Sequence, residues 1–171
     1  MENTSVEGII QLIQDLDNLA PKEWLPPEEG TKAESQTIIY TTLVNGTRSY
    51  IEKVANQING CYEKGWFDAC AVMTRRLLET LIIEVYEKHG ISDNIKKNGD
   101  FMFLKDMIGV ILIEPSLNLS RNAKSALPKL KDIGDKSAHS RRFNAVRRDI
   151  DEIKSGLRVV VQELIVLAGL K

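Results

Sequence analysis

Among the 171 residues of this chain, two cysteines and two histidines carry side chains able to bind metal or move protons near neutral pH. Cys61 and Cys70 lie nine residues apart with no further cysteine, so neither a disulfide framework nor a zinc pattern is available, and both read as small core residues. His89 and His139 are too few for a histidine-rich metal site, and no metal or cofactor is expected. No glycine loop suited to cradling phosphate and no nucleophile elbow is present. Asp149 and Glu152, three apart, share a helical face, but without a partner histidine they read as a solvated face.

His139 is the more informative histidine. It closes the run Leu130-Lys131-Asp132-Ile133-Gly134-Asp135-Lys136-Ser137-Ala138-His139-Ser140, which combines a mid-helix glycine with small residues. Gly134, Ser137 and Ala138 would let another backbone come close, with His139 at the crossing and Arg141 and Arg142 just beyond. An imidazole there can act as acid or base; the plainer role is a helix cap.

The charge pattern supports interest in this region. Net charge is only −1, yet residues 1–35 hold two basic and eight acidic side chains. Residues 121–148 hold nine basic ones (Arg121, Lys124, Lys129, Lys131, Lys136, Arg141, Arg142, Arg147, Arg148) against Asp132 and Asp135. Such a block can attract phosphate. It also reads as a solvated face, or as one that docks on the acidic N-terminal segment, because no aromatic ladder accompanies it.

The elements that must position these residues are helical. With 43% hydrophobic and 27% charged residues the chain can bury a core; 6% aromatics and few glycines and prolines argue against a β-sandwich. Thr4-Ser5-Val6-Glu7 has capping-box spacing, and Ile9, Ile10, Leu12, Ile13, Leu16 and Leu19 follow at helical steps. Pro21 and Pro26-Pro27 stop that helix, and Trp24 and Leu25 would pin the loop. Residues 1–35 are therefore read as an N-terminal helix with a proline-rich loop, and 36–171 as a helical bundle.

Within the bundle, periodicity predicts a helix over 37–63, interruptible at Asn45-Gly46, then a second over 66–88 after the Gly65 turn. Residues 93–100 read as a loop, 101–113 as a shorter helix ending at Glu114-Pro115, and 120–126 as a short helical piece. Pro128 is expected to open a new helix carrying Leu130, Ile133 and Ala138 inward. Asn144 is expected to cap a last helix with Ile150, Ile153, Leu157, Val160, Leu164 and Leu167 at heptad spacing. The apolar stretch 164–170 is far too short for a bilayer, and residues 1–7 are acidic and polar, so a soluble cytoplasmic protein without membrane contact is expected.

Residues 130–139 resemble the "Leu-Arg-x-x-Gly-Asn-x-Ala-Ala-His" pattern of a branch of the HEPN superfamily, helical domains of unknown function associated with restriction and phage-defence systems. Residues 62–79, with Gly65, Ala69, Arg75 or Arg76, Leu78 and Glu79, are similar to that branch's "y-x-x-G-x-y-x-A-A-x-x-x-x-R-x-x-L-E" helix. The likeness spans roughly residues 47–167.

The resemblance implies an all-α, HEPN-like bundle, here with an extra N-terminal helix, that forms a homodimer through the segment 134–140. Binding of RNA, or of a protein partner in a defence system, is implied by the same likeness. In active members an arginine and a histidine, four to six residues apart, form a metal-independent ribonuclease site across the dimer. This chain departs from that pattern. Asp132, Ile133 and Gly134 occupy the arginine's positions before His139, and Asp135 replaces the asparagine. Lys131 brings charge without the planar fork of arginine. Arg75 or Arg76 could substitute, though an arginine there is expected to pair with Glu79 or another local carboxylate.

Two functions are expected on this basis. One is a non-catalytic module that dimerises or binds RNA through Lys131, Lys136, Arg141, Arg142, Arg147 and Arg148, with Arg75, Glu79, Gly134, Asp135, Ser137 and Ala138 structural or at the interface. The alternative is a toxin-like endoribonuclease with His139 as acid or base and Lys131, Arg141 or Arg142 on the phosphate.

Overall fold

A computed structural model describes residues 35–171 and, before them, Val6, Gly8, Ile9, Ile10, Gln11 and Asp15. The chain's own contacts divide it into Met1–Thr31 and Lys32–Lys171. In the first unit the described residues are helical, and Gln11 Nε2 donates to Asp15 Oδ1 at 3.1 Å, one turn on. The expected capping box, Pro21, the Pro26-Pro27 pair, Trp24 and Leu25 lie outside the described residues, apart from Val6.

The second unit is all-α. Its helices are α1 (Thr41–Val44), α2 (Ser49–Glu63), α3 (Phe67–Lys88), α4 (Leu104–Ile113), α5 (Arg121–His139) and α6 (Arg147–Leu167). Alpha-3 is central and packs against α2, α4, α5 and α6. Its sequence accounts for this, because Cys70, Ala71, Thr74, Leu77, Leu78, Leu81, Ile82, Glu84, Val85 and Tyr86 are all buried, more than one helical stripe. Each fully buried Leu or Ile contributes about 1.5–3 kcal/mol, so α3 anchors the core.

Five expectations need correction. Residues 37–40 are not helical: Ile38 and Ile39 are fully buried in a bend of the chain, and buried Asn59 replaces a helix ladder. Its Oδ1 accepts from the Ile38 and Ile39 amides at 3.1 and 2.9 Å, while its Nδ2 donates to the Ile39 carbonyl at 2.8 Å. Arg158 from α6 donates to the Ile38 carbonyl at 2.9 Å. The expected helix over 37–63 is thus α1 and α2, separated at Asn45–Arg48.

Pro128 does not open a helix; it lies on the exposed side of the single helix α5. Ala123, Leu127, Leu130 and Ile133 continue one buried face straight past it, and that packing outweighs the one backbone bond proline forfeits. Ser120 caps α5, its Oγ accepting from the Ala123 amide at 3.1 Å. Ala138 is exposed rather than inward.

Nor does Asn144 cap α6. Val146 is the residue before the helix, and the Asp149 carboxylate reaches back to accept from its amide at 2.9 Å. Finally, residues 93–100 hold a 3-10 turn (Ser92–Ile95) and a two-stranded antiparallel hairpin, β1 (Lys96–Lys97) with β2 (Asp100–Phe101). Asn98 and Gly99, at φ 56° and 93°, form its turn, as the Asn-Gly pair permits. No helix among the described residues is long and apolar enough to cross a membrane.

Candidate functional site

The segment around His139 is positioned by the crossing of α3 and α5. A Cβ on Gly134 would meet the Arg75 Cβ at 2.8 Å and the Ala71 carbonyl oxygen at 3.0 Å. The small residue is therefore required inside the chain, because α3 of the same molecule already occupies the close approach. Ser137 is half-buried here, and its Oγ has no hydrogen-bond partner among the described residues.

Asp135 is the electrostatic hub of the crossing. Its Oδ1 accepts from Arg75 Nε at 2.8 Å and its Oδ2 from Lys131 Nζ at 2.7 Å, so each oxygen holds one cation. Arg75 also reaches Glu79, Nη1 to Oε2 at 3.7 Å. Burial pushes the Asp135 carboxyl up, but hydrogen bonds from Lys131 and Arg75, with their charges, outweigh it and hold the group below the usual aspartate range. Asp135 stands one turn before His139 on the same helical face. Arg75 thus comes to the histidine's helix already bound to two carboxylates.

His139 ends α5. It is exposed, and its imidazole makes no hydrogen bond or ion pair among the described residues. Arg141 and Arg142 come next, on the exposed loop between α5 and α6, likewise without an ion pair among the described residues. Two carboxylates pin that loop at its far end: Asp68 in the first turn of α3 accepts from the Ala145 amide at 2.9 Å, and Asp149 holds Val146. Arg147 lies over aromatic rings, its Cζ 4.7 Å from the Tyr62 ring centre and 5.5 Å from that of Phe67. The Tyr62 hydroxyl donates to Asp151 Oδ1 at 2.7 Å, which is the chief reason the Asp151 carboxyl titrates low.

The structure gathers His139, Arg141, Arg142, Arg147 and Arg148 around one end of the bundle. Lys131 and Lys136 lie farther along α5, in ion pairs with Asp135 and, at 2.7 Å, with Asp132. Arg148 meets Glu152 at 3.3 Å, both side chains mostly in water. The first turns of α6 also dilute the cationic run, since residues 121–152 count nine basic side chains against five acidic once Asp149, Asp151 and Glu152 are included.

Arg76 is exposed and Glu79 half-buried on α3. Sequence reasoning took residues 62–68 as a motif of the hairpin and missed that Tyr62, Phe67 and Asp68 hold the cationic loop. An aromatic pair beside a helix-starting aspartate was the available signal. The two cysteines fall as expected of packing residues: Cys70 is fully buried, with burial, then the charge of Cys61, pushing its thiol up to about 12, and Cys61 is half-buried.

An open depression of about 440 Å³ beside α6, lined by Asn118, Ser120, Val159, Gln162, Glu163, Val166 and Leu167, contains none of these candidates. Among the described residues no three histidine, cysteine or acidic side chains converge as a metal-ligand group.

The chain matches no family model, no curated protein and no solved structure. The class that its fold and site define is an all-α bundle built around a buried central helix, with a histidine and arginines exposed at one end.

Proposed function

We propose that this protein is a HEPN-like interaction module that binds RNA, as a homodimer, without cleaving it. The observation that carries the reading is the Arg75–Asp135–Lys131 cluster. Metal-independent cleavage needs a proton carrier and a cation free to meet the crowded phosphate. At this crossing the guanidinium and the ammonium are both spent on an internal carboxylate. His139 keeps its exposure but lacks Arg75 and Lys131 as partners, and Arg141 and Arg142 offer charge to a phosphate backbone.

Gly134 is filled by α3, so a second copy would meet the exposed residues Ala138 and His139 instead. Association with a phage-defence system belongs to the same reading, through the sequence resemblance, and a cytoplasmic location is proposed with it from the polar start of the chain.

RNA binding measured across a salt series tests it. Phosphate contacts release counterions, so affinity should fall steeply with salt, and the double variant Arg141→Glu, Arg142→Glu should weaken binding and flatten the slope by about 1.4 for two lost single-strand contacts. Binding that ignores both salt and the double variant contradicts the reading. The exposed His139, followed by Arg141 and Arg142 with no ion pair among the described residues, favours one alternative, an endoribonuclease, for which metal-free RNA cleavage abolished by His139→Ala is the signature.

A further inference from the structure

Where α2 turns into α3, Trp66 leaves 63% of its surface exposed. An indole carries a large apolar face that folding normally covers. The backbone beneath it is fixed: the Trp66 amide donates to the Cys61 carbonyl at 2.8 Å, and its carbonyl accepts from the Cys70 amide at 2.9 Å. Gly65, at φ 76°, makes the turn that lifts the residue out. The indole has no ring contact or hydrogen bond among the described residues, so a rigid stem presents a flat face to water.

That face stands at the cationic end of the bundle. The Asp68–Ala145 hydrogen bond ties the turn to the loop that carries Arg141 and Arg142. Phe67, next to Trp66, meets Tyr62 edge-on at 5.7 Å, and Arg147 lies over both rings. Lys64 is exposed two residues before the indole. Carboxylates are present here, but Asp68, Asp149 and Asp151 hold Ala145, Val146 and Tyr62 within the joint. Arg141 and Arg142 lie in water without an ion pair among the described residues.

We infer that Trp66 is a stacking platform for an unpaired nucleobase, with Arg141 and Arg142 on the flanking phosphates, so that the partner is a single-stranded stretch of RNA. The inference rests on the RNA-binding reading above and names its substrate class. Stacking on an aromatic ring is sequence-tolerant and needs a base whose face is free, which a duplex interior does not offer.

The test uses the full chain, a single-stranded RNA of mixed sequence, and the same sequence as a duplex. Single strands should bind more tightly than duplex, and should quench tryptophan fluorescence in a Trp24→Phe background. Trp66→Ala should weaken single-strand binding by about tenfold, while Trp66→Tyr retains most of it. Circular dichroism and the unchanged salt slope show that the variant is folded and keeps its phosphate contacts. If Trp66→Ala binds like the wild type, or duplex binds equally well, the stacking inference is wrong although RNA binding stands. If neither RNA binds, both readings fall. Tight, Trp66-dependent binding of polyglutamate without RNA binding would also overturn the inference, in favour of an acidic protein partner.

Discussion

Asp135 decides how the individual side chains at the α3–α5 crossing are spent. Its lowered pKa means that the ionised carboxylate adds stability that is fully present above the ordinary aspartate value of about 3.9 and is lost as pH falls through the lower folded value. Asp135→Asn should therefore destabilise the protein at neutral pH by about 1 kcal/mol, a modest figure because the paired side chains remain partly in water. Urea unfolding at a series of pH values should show the gap closing in acid; a gap that persists there contradicts the ion-pair account.

Tyr86 provides a contrasting residue. It is fully buried, its hydroxyl has no hydrogen-bond partner among the described residues, and burial, then the charge of Glu114, pushes its pKa up to about 12. A buried hydroxyl without a partner contributes nothing to offset its desolvation. Tyr86→Phe should thus leave thermal stability within about 0.5 kcal/mol of wild type or raise it. A loss above about 1 kcal/mol would reveal a hydrogen bond of the hydroxyl and contradict this expectation.

At the scale of elements, glycine substitutions separate close approach from simple flexibility. Gly60 lies inside α2 with nothing within 4 Å of an added Cβ, so Gly60→Ala should stabilise by about 0.5–1 kcal/mol. Gly134→Ala offers the same helix-propensity gain but drives a methyl against Arg75 and the Ala71 backbone, and should cost about 1–3 kcal/mol net. Opposite signs in chemical denaturation are expected; a stabilising Gly134→Ala would mean that α3 and α5 are free to separate. The helices of the α2–α3 hairpin were legible because Gly65 and Gly90 punctuate long apolar stripes. Residues 37–40 were not, since their amides are satisfied by Asn59 some twenty residues on, a tertiary fact invisible to periodicity. Pro128 misled for the opposite reason: a strong local rule lost to a buried face that runs on unbroken. The small hairpin at Asn98-Gly99 had its turn signal, but strands of two residues leave no alternation to read. Of the candidate site, His139 and the cations were visible in the sequence, whereas the capture of Arg75 by Asp135 and the stacking of Arg147 arise only when distant helices meet.

For the whole molecule, folding changes the meaning of the charge asymmetry. Of the nine cations, Lys131, Lys136 and Arg148 form ion pairs and Arg147 lies over aromatic rings, whereas Arg121, Lys124 and Lys129 stay exposed along α5 and Arg141 and Arg142 at its end. The proposed two-fold association belongs at this scale as well. Light scattering should give a dimer for the wild type and a monomer for Ala138→Glu, which places charge on the exposed strip without disturbing the α3–α5 contact; a wild-type monomer contradicts the proposed dimer. The most direct measurement of the central claim is incubation of the purified protein with end-labelled single-stranded RNA in the presence of a chelator, at concentrations where binding is saturated. The account predicts RNA that is bound and intact, with His139→Ala indistinguishable from wild type; defined cleavage products that vanish in His139→Ala would contradict it.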